Sequence, residues 1–377
     1  MERHKINVRL DGSVATAQPA TRSYTIHVGD MILQDIGGSL SDDGVQRAVI
    51  LSDQAVSSTH GKIVTRALQD VSIETDHLII PSGEASKSLD QLNRLWNEFA
   101  RLKIDRKTVI LAVGGGVVGD LAGFVAATFS RGLYFWQVPT TLVAQVDSAI
   151  GGKTGVNLPA GKNLVGAFWQ PRGVIADIST LTTLPDREYV SGLAEVVKYG
   201  MILDADFFHW LEKNVTPVKN RETRSVVHVV RRSAELKTFV VERDEREVTG
   251  LRACLNYGHT FAHAFETATG YGTLLHGEAV SLGMMAAAIL ACSMNRIDQL
   301  VVDRQHNLLK ALGLPVSTQT LNGIEDDELL GIMSRDKKSI GGKLRFILPS
   351  MIGKVETVDD VCHKSVISAI NCIRRDT

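Results

Sequence analysis

The chain has 377 residues, 44% hydrophobic and 22% charged, with a formal net charge of −1 at pH 7. That length and composition suit a globular protein of roughly two domains of about 100–200 residues each. A near-zero net charge supplies no global field to recruit nucleic acid or an anionic membrane, so any anionic ligand must be held by a local cluster of Lys and Arg.

In chain order, the first half alternates short β-rich runs with helical spacing. Residues 47–52 predict a buried strand and 59–68 a helix; 77–80 predict a second strand, followed by a helix through Leu89, Leu92, Leu95, Trp96 and Phe99. Residues 108–113 predict a third strand running into glycines, 133–138 a fourth and 174–177 a fifth. Such alternation implies a largely parallel sheet covered by helices. Beyond about residue 180 the pattern becomes helical, over 185–201, 206–213, 222–242, 259–269 and 278–295. The run 279–292 is apolar almost all round, as in a buried central helix. We expect an α/β domain over 1–180 and a helical domain over 181–377, with the active site in the cleft between them. Residues 1–20 lack an apolar signal core, and the sequence reads as having no stretch of about 18 apolar residues, so no membrane-spanning helix is expected. The four cysteines, Cys254, Cys292, Cys362 and Cys372, form no C-x-x-C pair. This points to a reducing, cytoplasmic setting and away from a cysteine-based zinc site.

Gly114-Gly-Gly-Val-Val-Gly119-Asp120 follows the third strand and precedes a helical run at 121–128. Strand, tight turn and helix N-terminus are the context in which a G-x-G-x-x-G loop approaches a pyrophosphate; a plain packing turn is the alternative. No acidic residue sits about 20 positions on, where a ribose-binding carboxylate is usual. The nearest candidate is Asp53, upstream at the end of the first strand, which suggests a different strand order. Residues 81–87 follow the second strand and offer Glu84 and Lys87, either to the nucleotide or to solvent.

His259 and His263 stand at i, i+4 in Asn256-Tyr-Gly-His259-Thr-Phe-Ala-His263-Ala-Phe-Glu266, on one helix face. His276-Gly-Glu278 follows 13 residues after His263, and Glu195 is a carboxylate on an otherwise apolar turn, costly to bury unless paired or metal-bound. Three N/O ligands with one position open is the catalytic zinc pattern; satisfied core histidines are the alternative. Arg131, Lys153, Lys162, Lys198, Lys237, Arg252, Lys337 and Lys338 lie in or beside motif-like segments, several next to Gly or Asn. Basic groups on such turns suit phosphate or carboxylate.

Taken in order, these strings resemble the 3-dehydroquinate synthase family closely, from about residue 24 to 355. They run through residues 81–88, 114–124, 138–142, 146–155, 161–163, 194–198, 255–260, 276–278 and 336–338. The resemblance implies a Rossmann-like nucleotide-binding α/β domain followed by a helical metal-binding domain, and a homodimer. It implies zinc or cobalt on Glu195, His259 and His276, which turns His263 from a ligand into a substrate-facing residue. NAD would meet Asp53, Glu84, Lys87, Gly116, Val117, Val118, Gly119, Asp120, Thr140, Thr141, Lys153, Lys162 and Thr183. The acidic sugar phosphate would meet Arg131, Asp147, Lys153, Asn163, Lys198, Lys237, Arg252, Asn256, His263 and one of Lys337 and Lys338, with Lys338 favoured. Of these, Lys153, Lys198, Lys237, Arg252, Asn256 and His263 would carry the chemistry. In the family, a seven-carbon keto-acid phosphate is oxidised by NAD, loses phosphate, is reduced again and closes by an intramolecular aldol step. The result is a lyase with no net redox.

Three rivals remain in view. A metal-dependent alcohol dehydrogenase of the glycerol dehydrogenase type would share the glycine turn but would not need Lys153, Lys162, Asn163 and Arg252. A sister cyclase acting on a sedoheptulose or hexose phosphate would alter positions around the carboxylate and phosphate, where Arg252, Asn256 and His263 match the acidic-substrate pattern. A non-catalytic nucleotide-binding relative would show gaps in the ligand set.

Overall fold

Continuous apolar runs with no alternation are what a strand buried on both faces requires, and β3 (Arg47–Asp53), β5 (Val109–Gly114) and β9 (Gly173–Asp177) are of this kind. In β5 Ile110, Leu111 and Val113 are fully buried, each contributing about 1.5–3 kcal/mol relative to exposure. The computed structural model describes residues 3–10, 22–159, 161–270, 272–335, 344–359 and 361–374. Among these, β1 (Arg3–Val8), β2 (Tyr24–Gly29), β4 (Glu74–Ile80) and β6 (Tyr134–Pro139) complete a seven-stranded sheet in the order β1-β2-β9-β6-β5-β3-β4. Every pairing is parallel except β1 with β2. The segment before residue 10, unassigned from sequence, is thus an antiparallel edge strand. A hairpin of β7 (Lys153–Leu158) and β8 (Gly161–Phe168) stands apart from the sheet.

The strand order departs from the common dinucleotide order, in which the glycine turn follows the first strand. Here the chain passes from β3 outward to β4 and then back to β5 on the other side of β3. The carboxyl ends of β3 and β5, side by side in register at Ser52 and Val113, therefore flank a topological switch point.

The chain divides into two units: residues 1–184 with 226–246, and residues 185–225 with 247–377. The expected single boundary at 180 thus meets a second crossing, because residues 226–246 join the first unit. Lys237 pairs with Asp147 at 2.7 Å, Glu245 pairs with Arg22, and the Arg9 amide donates to Glu242 at 2.8 Å. These partners lie 90 or more positions away in sequence, beyond the reach of any local pattern.

The second unit is built on the helices Asp186–Leu203, His259–Ala268, His276–Ser293, Gln299–Leu312, Asp326–Arg335 and His363–Arg374. It is not wholly helical: β10 (Arg345–Met351) and β11 (Lys354–Asp359) form an antiparallel hairpin. Among the described residues, His276–Ser293 is the one helix with the length and hydropathy to cross a membrane (18 residues, mean hydropathy 1.2), and 72% of it is buried. The run 279–292, expected from its all-round apolar character to be a buried central helix, is the body of this core helix.

Candidate cofactor site and metal centre

The helix Gly116–Thr128 opens directly on the glycine turn, five residues earlier than the run at 121–128 suggested. Gly115 is the extended residue at its N-cap, so the first helical N–H groups are left for a ligand. A Cβ at Gly116 would lie 3.0 Å from the Ser148 hydroxyl, so glycine keeps the cradle open. A Cβ at Gly119 would lie 2.7 Å from Gln137 on β6, so this glycine sets how closely helix and sheet approach. Val117 and Val118 continue the same turn, and Val118 is fully buried.

The other nucleotide-type residues gather at neighbouring strand ends. Asp53 terminates β3 beside the turn and accepts the Ala55 and Val56 amides at 2.9 and 3.2 Å. Strand order thus brings a carboxylate from upstream to the strand end beside the glycine turn. Thr140 and Thr141 follow β6; the Thr140 amide donates to the Gly114 carbonyl at 3.0 Å. Thr183 bonds His60 at 2.8 Å, and burial holds the His60 imidazole below its ordinary pKa. Glu84 and Lys87 follow β4. The buried Lys87 ammonium bonds both Asp120 and Asn163. Burial pushes the Asp120 carboxyl up, against the pull of Lys87.

The anion-type residues of the first unit fall into three places. Lys153 lies on β7, and Lys162 and Asn163 lie on β8. Lys237 donates to both the carbonyl and the carboxylate of Asp147, each at 2.7 Å. Asp147 itself sits in a wide π-helical turn, Ala144–Ser148, a form that often marks functional sites. Arg131 is exposed at φ 65°, next to Ser130 at φ 50°. Two successive non-glycine residues in the left-handed region cost about 1–3 kcal/mol each.

In the second unit, Glu195, His259 and His276 bring one ligand atom apiece to within 4.8 Å of one another. His259 Nε2 and His276 Nε2 each lie 3.5 Å from the same oxygen, Glu195 Oε1. Two imidazoles and one carboxylate, with Glu195 only 1% exposed, fit a divalent ion with a position left for substrate. His263 does not join them. Its ring packs edge-on against that of His259 with centroids 5.6 Å apart, so the i, i+4 chelate is not formed.

Packing fixes this geometry. Gly277 lies against the Ser191 backbone, where a Cβ would collide with the carbonyl oxygen, and its amide donates to the Ser191 hydroxyl at 3.0 Å. That contact sets the His276 helix against the Glu195 helix. Gly258 caps the His259 helix at φ 77°, a conformation suited to glycine, and a Cβ there would lie 2.7 Å from the Met284 amide nitrogen. Glu278 of the His-Gly-Glu motif caps its own helix by accepting the Leu275 amide at 2.8 Å, and it pairs with Arg187 at 2.7 Å.

Two residues that the sequence reading left without a role hold the imidazoles. The Tyr257 carbonyl takes His259 Nδ1 at 3.1 Å, and Glu266 faces His276 Nδ1 at 3.5 Å. Each histidine thus turns Nε2 toward the centre, as metal-binding histidines with an outer acceptor do. Burial lowers the His276 pKa, but hydrogen bonds to Glu195 and Glu266 outweigh it and leave the group at about 10. Lys198, one turn from Glu195, pairs with its carboxylate and is 1% exposed.

Arg252 is 2% exposed, with Glu247 3.9 Å from its Nε, and Asn256 ends the same turn, Leu251–Asn256. Lys337 and Lys338 lie outside the described residues.

Comparison with known proteins agrees over most of the chain. The family profiles 3-dehydroquinate synthase N-terminal and 3-dehydroquinate synthase C-terminal match residues 77–191 and 192–339. A 3-dehydroquinate synthase from Rhodopirellula baltica is 50% identical over 326 residues, covering 86% of each chain. Among solved structures, 2-epi-5-epi-valiolone synthase from Streptomyces hygroscopicus subsp. jinggangensis, with NAD+ and Zn2+ bound, superposes with a TM-score of 0.86 at 26% identity. The match covers 96% of this chain and 98% of that one. A 2-deoxy-scyllo-inosose synthase complexed with carbaglucose-6-phosphate, NAD+ and Co2+ gives 0.84 at 26% identity, over 97% and 99%.

Proposed function

The chain belongs to the 3-dehydroquinate synthase family, and from that premise we propose how its residues divide the reaction. The enzyme converts 3-deoxy-D-arabino-heptulosonate 7-phosphate to 3-dehydroquinate and phosphate, a lyase step of the shikimate pathway. The observation that carries the reading is the convergence of Glu195, His259 and His276 in a chain whose overall charge is close to neutral.

Glu195, His259 and His276 would hold the divalent ion, zinc or cobalt. The turn Gly116–Asp120 with Asp53, Glu84, Lys87, Thr140, Thr141, Lys153, Lys162 and Thr183 would hold NAD. When bound, NAD supplies a hydride acceptor that is regenerated each turnover, and the ion supplies Lewis acidity. Lys198 and Lys237 offset negative charge that develops on substrate oxygens; each is nearly excluded from water, where such charge is worth most. Asp147 orients Lys237 through the two 2.7 Å bonds. Arg252, Asn256 and His263 recognise the carboxylate, and Arg131, Lys153, Asn163 and Lys338 complete the anion set. Family membership also supports a homodimer in the cytoplasm.

The test is to supply 3-deoxy-D-arabino-heptulosonate 7-phosphate with NAD far below the substrate concentration. The expected result is many turnovers of phosphate release and dehydroquinate formation, with no accumulating NADH, abolished by a chelator. Stoichiometric NADH, or consumption of sedoheptulose 7-phosphate instead, would overturn the assignment.

A further inference from the structure

The hairpin β7–β8 is irregular where it carries ligand-type residues. Val156 pairs with Val165 and Leu158 with Gly161, so Lys162, Asn163 and Leu164 bulge opposite the single residue Asn157. Asn163 takes φ 55° there. A bulge re-aims side chains, but it strips backbone groups of their ladder partners, and those groups must be satisfied elsewhere.

Asn157 supplies what the bulge removes. Its Oδ1 accepts the Asn163 amide at 3.0 Å, and its Nδ2 donates to Glu84 Oε1 at 2.7 Å. Its own amide, turned away from β8, donates to the Lys87 carbonyl at 2.8 Å. The Lys87 ammonium returns to the Asn163 side-chain oxygen and closes the ring. The polarity is unique: the opposite amide orientation would set a carbonyl against the Glu84 carboxylate and an NH2 against the Asn163 N–H. We propose that Asn157 is a positioning residue that fixes the Glu84–Lys87 turn and the Lys162–Leu164 bulge in one geometry, so that nucleotide and substrate affinity depend on it together. This rests on the roles given above to Glu84, Lys87, Lys162 and Asn163. Asn157 needs no contact with either ligand for this.

The experiment uses the full-length enzyme. Asn157→Ala is titrated with NAD by fluorescence and assayed for kcat and KM, beside its thermal midpoint. Loss of one hydrogen bond to a charged acceptor should weaken NAD binding about tenfold. Substrate KM should rise by a similar factor, with kcat and the thermal midpoint near the parent values. Unchanged NAD affinity and KM would overturn the proposal, as would a fall in thermal midpoint and active fraction alone.

A second variant separates positioning from bulk packing. Asn157→Asp keeps the acceptor for Asn163 but sets a carboxylate against Glu84, so NAD binding should fall further than in Asn157→Ala. Adding Glu84→Gln restores a donor to that pair and should return affinity to the level of Glu84→Gln alone; absence of recovery removes the role. Glu84→Ala and Lys87→Ala test the underlying assignment. If neither weakens NAD, both ideas fall; if both do while the Asn157 variants do not, only the positioning role falls.

Discussion

The two units prepare for their ligands by opposite means. The first gathers its groups at strand ends: the glycine turn with its backbone amides, the residues after β4 and β6, and the Asp53 carboxylate all sit at carboxyl ends of parallel strands, beside a switch point fixed by topology. The second offers buried charge: Glu195, Lys198, His259 and His276 come from three helices that no hydrogen-bond ladder aligns, so small-residue packing must do so. Backbone cradles tolerate small shifts because many amides share the ligand. A three-atom centre does not, and its outer acceptors and helix contacts should be the more sensitive parts.

That contrast can be broken at three points. The largest effect is expected at Gly277→Ala, where the new Cβ meets the rigid Ser191 backbone. Overpacking there should cost about 3 kcal/mol, lowering the denaturation midpoint and zinc content together. Parental zinc content in that variant would contradict the view that this contact sets the centre. Next comes Glu266→Ala, which strips His276 of its outer acceptor. Zinc affinity should fall about 10–100-fold by competition with a chelating dye, and Glu266→Gln should lose less because it can still accept from Nδ1. Equal losses in the two variants would show that the negative charge of Glu266, rather than its acceptor oxygen, is what His276 requires. The smallest effect is expected at Gly119→Ala, whose Cβ meets only the end of the Gln137 side chain. We expect about 1 kcal/mol of destabilisation and weaker NAD binding by calorimetry, with zinc content untouched. A larger loss than at Gly277 would reverse the comparison.

Legibility in the sequence follows the same division. The glycine turn could be read because strand, turn and helix are contiguous, and the buried strands because their apolar runs are unbroken. An upstream carboxylate at Asp53 could be suspected from the lack of a downstream one, but only the strand order shows that β3 ends beside the glycine turn. At the metal centre, His259 and His276 were visible as glycine-flanked histidines and Glu195 as a carboxylate on an apolar turn, whereas spacing alone also pointed to His263, and family resemblance was needed to set it aside. Glu266 carried a faint signal, a carboxylate among the buried Phe261 and Phe265. Asn157 carried none, since a bulge two residues deep depends on register. The joining of residues 226–246 to the first unit was equally hidden, because it rests on pairs such as Lys237 with Asp147, 90 positions apart.

The most direct test of a reaction shared between two independently built parts is Glu195→Ala, with bound zinc measured by elemental analysis and NAD affinity by calorimetry on the same preparation. The account predicts protein without zinc and without turnover that still binds NAD as the parent does. Full zinc occupancy in that variant, or loss of NAD binding along with the metal, would contradict it.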